Sequence, residues 1–259
     1  MRTPTADQIV NVIASQGKAR PSELAKALQI SPQALHRHLR RLVDDHVLQV
    51  RGSAPKTFYM LGGVPDFDDA LEWVSAPQAG AVVAGEFLNE TRDALAARLP
   101  RLQRFTSEGL DPKLLPLVIA CAGELGNNAF DHNLGNWRDV PGCWLQAETV
   151  GKQLWLCVAD RGQGVWRSLS RALPQLADDQ AALEAAFEQQ ISGRAPEKRG
   201  NGLKFVRKAI EAEPLRGLGA CSGKGFVSLG GLGEGCVGVL RKKFRRAGGT
   251  ICVTVWELT

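Results

Sequence analysis

The stretch LLPLVIACAGELGNNAFDHN, residues 114–133, constrains this chain more than any other. Its first half, Leu114 to Ala122, is apolar on every side and reads as a buried helix. Its second half sets Glu124, Asn128 and His132 at i, i+4 and i+8, along one face of that helix. Ionisable and amide groups cost free energy in a core unless partners meet them. The fold must either satisfy this stripe internally or open a pocket beside it. Asn127 points elsewhere by helical phase.

The rest of the chain narrows the options. Its 259 residues fit two domains of ordinary size, and 44% hydrophobic with 23% charged residues is a globular composition. No apolar stretch reaches the roughly 18 residues of a bilayer span. The start, MRTPTADQ, has no apolar leader core, so a cytoplasmic protein without a membrane partner is expected. Six cysteines, at 121, 143, 157, 221, 236 and 252, include no C-x-x-C pair and sit among apolar or small residues. Reduced, buried thiols are expected rather than a zinc site or a disulfide framework.

Charge is segregated. Residues 1–62 hold nine Lys and Arg against four acids, which accounts for the whole net charge of +5; the remainder is balanced. An acidic partner for the first quarter follows, and duplex DNA is the commonest one. Thr5 with Gln8 reads as a capping box for a first helix bearing Ile9, Val10, Val12 and Ile13. Pro21 opens a second helix with Leu24 and Leu28. Ser31 and Pro32 then suit the N-cap and first turn of a third. Leu35, Leu39, Leu42 and Val43 form its core face, while Gln33, His36, Arg37, Arg40 and Arg41 line the other. VLQVRG and KTFYML alternate as two strands around SAPK.

Three helices and a basic-tipped hairpin resemble bacterial winged helix-turn-helix regulators. The resemblance implies that Gln33, His36 and Arg37 meet base edges, and that Arg40, Arg41, Arg51 and Lys56 meet phosphates. A palindromic site would call for a homodimer.

LGGVPDFDD, with Gly62, Gly63 and Pro65, marks a boundary. Residues 63–107 read as a helical linker or packing segment, and 108–259 as a second domain. There, Trp144–Thr149 and Leu154–Ala159 read as a hairpin turning near Gly151. Its second strand runs into Asp160, Gly162 and Gly164, a carboxylate at a strand end followed by a backbone that can be approached closely. Downstream, Arg194, Lys198 and Arg199 precede Gly200-Asn201-Gly202 and a helix from Leu203. A glycine turn feeding a helix N-terminus is suited to anions. The glycine-rich 217–249 segment reads as two strands with a turn, and its cluster Arg241, Lys242, Lys243, Arg245 and Arg246 as a solvated one. AGGTICVTVWEL reads as a closing strand.

In order, these are E-x-x-x-N-A-x-x-H, D-x-G-x-G, G-x-G-L and a terminal G-T strand. Over about residues 100–259 the chain resembles the GHKL ATPases, which include gyrase B subunits, MutL, histidine kinases and anti-sigma-factor kinases. The whole is then an α+β protein. A winged helix-turn-helix over 1–62 precedes a two-layer α/β sandwich, the Bergerat ATP-binding fold. The resemblance implies ATP and Mg²⁺ as cofactors, Asn128 on the metal, and Glu124 as general base. It gives Asp160 to the adenine amino group, Gly162 and Gly164 to the base pocket, and Thr250 to the adenine side. Gly200 and Gly202 match the lid glycines over the phosphates, with Lys198, Arg199 and Leu203 beside them in the ATP-binding set. Asp131 and His132 have either a supporting or a packing role.

Two departures bear on function. Lys204 follows Leu203 where many histidine kinases continue G-L, and residues 63–131 contain no His to accept a phosphoryl group. A sensor histidine kinase is therefore not expected. What remains is an ATP-binding winged-helix regulator whose ATPase domain controls DNA or a regulated protein partner. The alternative is a serine/threonine kinase of anti-sigma or toxin–antitoxin type.

Overall fold

A computed structural model describes residues 4–16, 18–44, 47–52, 56–63, 65–75, 85–132, 142–170, 172–188, 201–241 and 247–259. The chain divides into two compact units, Met1–Pro65 and Asp66–Thr259.

In the first unit α1 (Pro4–Gln16), α2 (Pro21–Leu28) and α3 (Pro32–Asp44) precede the hairpin β2 (Leu48–Arg51) and β3 (Phe58–Leu61). A short strand β1 (Lys18–Ala19) joins the hairpin to give an antiparallel sheet of order β1-β3-β2. Ile9, Ile13, Leu24, Leu35, Leu39, Leu42 and Leu48 form the core, each burial worth about 1.5–3 kcal/mol before chain entropy is counted. Ser31 caps α3, its Oγ accepting from the Ala34 N–H at 3.3 Å. The expected box at Thr5 does not form the start of α1, because the helix already runs from Pro4 and Thr5 lies inside its first turn. In α2 the reciprocal bond comes from Glu23, whose Oε2 accepts from the Arg20 N–H at 2.7 Å.

The second unit is built on one six-stranded antiparallel sheet of order β4-β5-β6-β9-β7-β8. Its strands are β4 (Leu88–Asn89), β5 (Cys143–Val150), β6 (Gln153–Asp160), β7 (Arg216–Gly223), β8 (Gly225–Leu229) and β9 (Ala247–Glu257). Along β6 and β9 alternate residues, Leu154, Leu156, Val158, Cys252 and Trp256, join a core with α6 (Leu115–His132) and α9 (Gly202–Glu211). Leu95 of α5 (Arg92–Arg98) and Leu102 and Phe105 of the 3-10 helix Leu99–Glu108 close one end. Leu183 and Phe187 of α8 (Asp179–Glu188) close the other. Between β6 and α8 lies the one-turn helix α7 (Val165–Leu169).

The sheet is covered on its second face as well, which departs from the expected two layers. Trp73 of α4 (Asp68–Ser75) packs against Trp144 with ring centroids 5.5 Å apart. α10 (Gly233–Arg241) lies on β7. Sequence reading gave strands there but no helix, and the reason is steric. A Cβ on Gly217 would sit 2.6 Å from the Gly233 N, and one on Gly219 2.6 Å from the Val237 N. Bare backbone on β7 lets α10 approach so closely that packing overrides the poor helix propensity of its own glycines. Residues 63–107, read as helices, also contain β4, which pairs Leu88 with Trp144. No helix among the described residues is long and apolar enough to cross a membrane.

Candidate functional site

β6 delivers Asp160 to the α6 side of the sheet, where it is 7% exposed. Its Oδ1 accepts from the Gly162 N–H at 2.8 Å, which closes the turn after the strand. Asp160 faces Thr250 across β6 and β9, and Thr250 faces Ser222 across β9 and β7. Cross-strand partners share a face, so three polar side chains form a row over the central strands. Ser222, which sequence reading passed over, ties the row together. Its Oγ accepts from the Val165 N–H at 2.9 Å and donates to the Gly249 carbonyl at 3.2 Å. The Thr250 hydroxyl is 3.4 Å from it. Only a serine among small residues marks that position in the sequence, and its role depends on pairing with a distant strand.

Close approach defines this end of the sheet. A Cβ on Gly249 would stand 2.8 Å from Asp160 Oδ1 and 2.7 Å from its carbonyl carbon. Gly164 has φ 78° and leads into α7. The Asp160 carboxylate is felt by its neighbours. Burial first, and then Asp160, hold the Cys143 and Cys252 thiols far above their ordinary range.

The second cluster is on the helices. Glu124 is exposed and Asn128 half-buried on α6. The N-terminus of α9 abuts Glu124, so that a Cβ added to Gly202 would collide with its carboxylate. Asn201, the N-cap of α9, makes no side-chain capping hydrogen bond. Leu203 packs against the core. Burial pushes the Cys121 thiol up to about 12; Arg216 opposes that shift and Glu124 adds to it.

The two clusters thus belong to one helix–sheet layer, with Asp160, Gly162, Gly164 and Thr250 together on the sheet and Glu124 and Gly202 together on the helices. Lys198, Arg199 and Gly200, with Arg194, lie outside the described residues, as does the His132 side chain. Asp131 is engaged by Arg92, whose Nη2 donates to its Oδ1 at 2.6 Å, a tie between α5 and α6. Among the described residues no group of three or more His, Cys, Asp or Glu could hold a metal ion.

In the first unit Gln33, His36, Arg37 and Arg40 are exposed on α3 at i, i+3, i+4 and i+7, with Arg41 exposed beside them. That is a polar face of the width a major groove accepts. Lys56 is exposed where β3 begins; the Arg51 side chain and the tip at residues 53–55 lie outside the described residues.

No curated protein matches the chain. Residues 4–49 match a family model described as winged helix-turn-helix DNA-binding, which spans α1 to the start of β2. The N-terminal unit is a winged helix-turn-helix DNA-binding domain.

Proposed function

We propose that the protein is a DNA-binding regulator whose second unit is an ATP-binding domain of the GHKL type, and that nucleotide state sets the grip of the first unit on DNA. The observation that carries the reading is the buried Asp160 carboxylate, fixed by the Gly162 N–H in one row with Thr250 and bordered by Gly249. A flat heterocycle with an exocyclic amino group would suit that row, with Asp160 accepting from the amino group and Thr250 beside it.

The residues also fit the implied metal. With no cluster of three ligating side chains among the described residues, a dedicated all-protein cage is not in view. Magnesium suits the alternative, since it keeps several waters and takes most of its protein-side charge balance from phosphate oxygens plus one or two side-chain oxygens. Asn128 would hold it, and the bound ion would neutralise phosphate charge. The α9 N-terminus would direct its N–H groups at phosphate oxygens, with Lys198, Arg199 and Gly200 as the lid. Glu124, exposed one turn from Asn128, would take a proton from a water or hydroxyl and orient it. In the first unit Gln33, His36 and Arg37 would read bases, while Arg40, Arg41, Arg51 and Lys56 would meet phosphates. A homodimer would present two such faces.

The reading is tested by melting. ATP with Mg²⁺ at about 100 times its dissociation constant should raise the midpoint by about 5–10 °C, and EDTA should reduce the rise. Glu124→Ala should keep that rise and lose phosphate release. Turnover unchanged in Glu124→Ala would remove its role as base.

A further inference from the structure

Ser222 joins three segments through one oxygen. It is 1% exposed on β7, two strands from Asp160 in the order β6-β9-β7. A backbone N–H can only donate and a carbonyl can only accept. The Val165 N–H at 2.9 Å and the Gly249 carbonyl at 3.2 Å therefore fix its hydroxyl, with a lone pair toward α7 and the proton toward β9. The remaining lone pair faces the Thr250 hydroxyl at 3.4 Å. Thr250 has a single proton, and it is turned inward to Ser222. The half-buried Thr250 is left to present lone pairs to whatever meets the row. Its cross-strand partner Asp160 is a carboxylate, which accepts as well. Arg161, next along from Asp160, turns to the opposite face of the sheet. Its guanidinium lies there 5.7 Å over the ring of Trp73, which packs on Trp144, so this turn adds no cation to the row.

We infer that Ser222 sets the base specificity of the row: by holding the Thr250 proton it selects a base edge with an amino group over one with a carbonyl. The inference rests on the ATP-binding reading above. The spacing suits one amino group with both hydrogens in use. Asp160 and Thr250 pair directly across β6 and β9, and side chains so placed stand about 4.5–5.5 Å apart at Cβ. Two acceptors that share one amino nitrogen, each about 2.9 Å from it, are separated by about 5 Å. A carbonyl in that place would meet lone pairs on both sides and no proton. Ser222 is a positioning residue, acting through Thr250 without touching the base. If it served packing alone, its loss would weaken every nucleotide alike and leave the preference among them intact.

The test is calorimetric titration of the full chain with ATP and with inosine triphosphate, each with Mg²⁺. The second carries a carbonyl where ATP carries its amino group. The wild type should bind ATP at least about tenfold more tightly. Ser222→Ala releases the Thr250 proton to turn outward and donate, so the preference should shrink at least about threefold, through a gain on inosine triphosphate. Thr250→Val leaves Ser222 its bonds to Val165 and Gly249; it should weaken ATP about fivefold and leave inosine triphosphate unchanged. Adding Ser222→Ala to Thr250→Val should move the preference no further. A wild type that binds both nucleotides equally, a preference unchanged in folded Ser222→Ala, or ATP affinity unchanged in Thr250→Val would each overturn the inference while the ATP reading stands. If Ser222→Ala does not fold, Thr250→Val decides alone. A wild type that binds neither nucleotide would remove the ATP reading and the inference with it.

Discussion

Helices α3 and α6 carry the same kind of pattern and live in opposite surroundings. Each has polar residues at three- and four-residue spacing beside an apolar face. On α3 every residue of the polar row, from Gln33 to Arg41, is open to solvent, and the apolar face of Leu35, Leu39 and Leu42 is fully buried. On α6 the polar row has fewer members, and its Glu124 lies against the N-terminus of α9, within a layer whose remaining positions, Val118, Cys121, Ala122, Leu125 and Ala129, are core. A charged face on a surface helix costs nothing to maintain, so its function rests on what approaches from outside. A polar row beside a core has part of its surroundings supplied by the fold, here the α9 backbone next to Glu124.

The comparison can first be broken through the two apolar faces. Leu39→Ala in α3 and Leu125→Ala in α6 should each cost about 2–5 kcal/mol, read as denaturant midpoints of the two units. If each is an independent fold, Leu39→Ala should leave the midpoint of the second unit in place. A single transition shifted by both would join what the comparison separates.

The open face is probed by Arg37→Ala, which should weaken duplex binding by about 1–3 kcal/mol with little change in melting. Arg40→Ala should instead reduce the slope of log affinity against log salt by about 1, as expected of a phosphate contact. Equal slopes in both variants and wild type would leave the α3 face merely solvated. The α6 row is probed by Gly202→Ala. The added methyl must displace the Glu124 carboxylate, the far end of a flexible side chain, so stability should change by less than about 1 kcal/mol while phosphate release falls.

A further effect concerns the buried thiols. All six cysteines are buried, and burial raises the thiols of Cys121, Cys143, Cys157, Cys236 and Cys252. In the unfolded chain they ionise near pH 8.5, while burial in the folded chain raises Cys121 and Cys236 to about 12. The unfolded state thus binds fewer protons above about pH 8.5, and stability, complete below that point, should decline steadily with rising pH. Native protein at neutral pH should resist thiol reagents; rapid labelling would show the interior open.

Much of the first unit was legible because its signals are local. The 3.6-residue spacing of Leu35, Leu39 and Leu42, the cap at Ser31 and the hairpin alternation need no distant partner. β1 escaped because Lys18 and Ala19 are a strand only by pairing with Met60 and Tyr59. In the second unit β5, β6, β9 and α6 were readable by the same local rules. α10 was not, since its helicity depends on Gly217 and Gly219 far along the chain. Ser222 and the Arg161–Trp73 contact were invisible for a like reason, being relations between segments that sequence distance hides.

The central claim is that the row on α6 and the row across β6, β9 and β7 together bind ATP with magnesium. Calorimetric titration of ATP and Mg²⁺ into the wild type and Asn128→Ala tests it most directly. The account predicts one saturable site per chain in the wild type, weakened at least about tenfold in a folded Asn128→Ala, a difference of about 1.4 kcal/mol. No heat of binding in the wild type, or equal affinity in the two proteins, would contradict it.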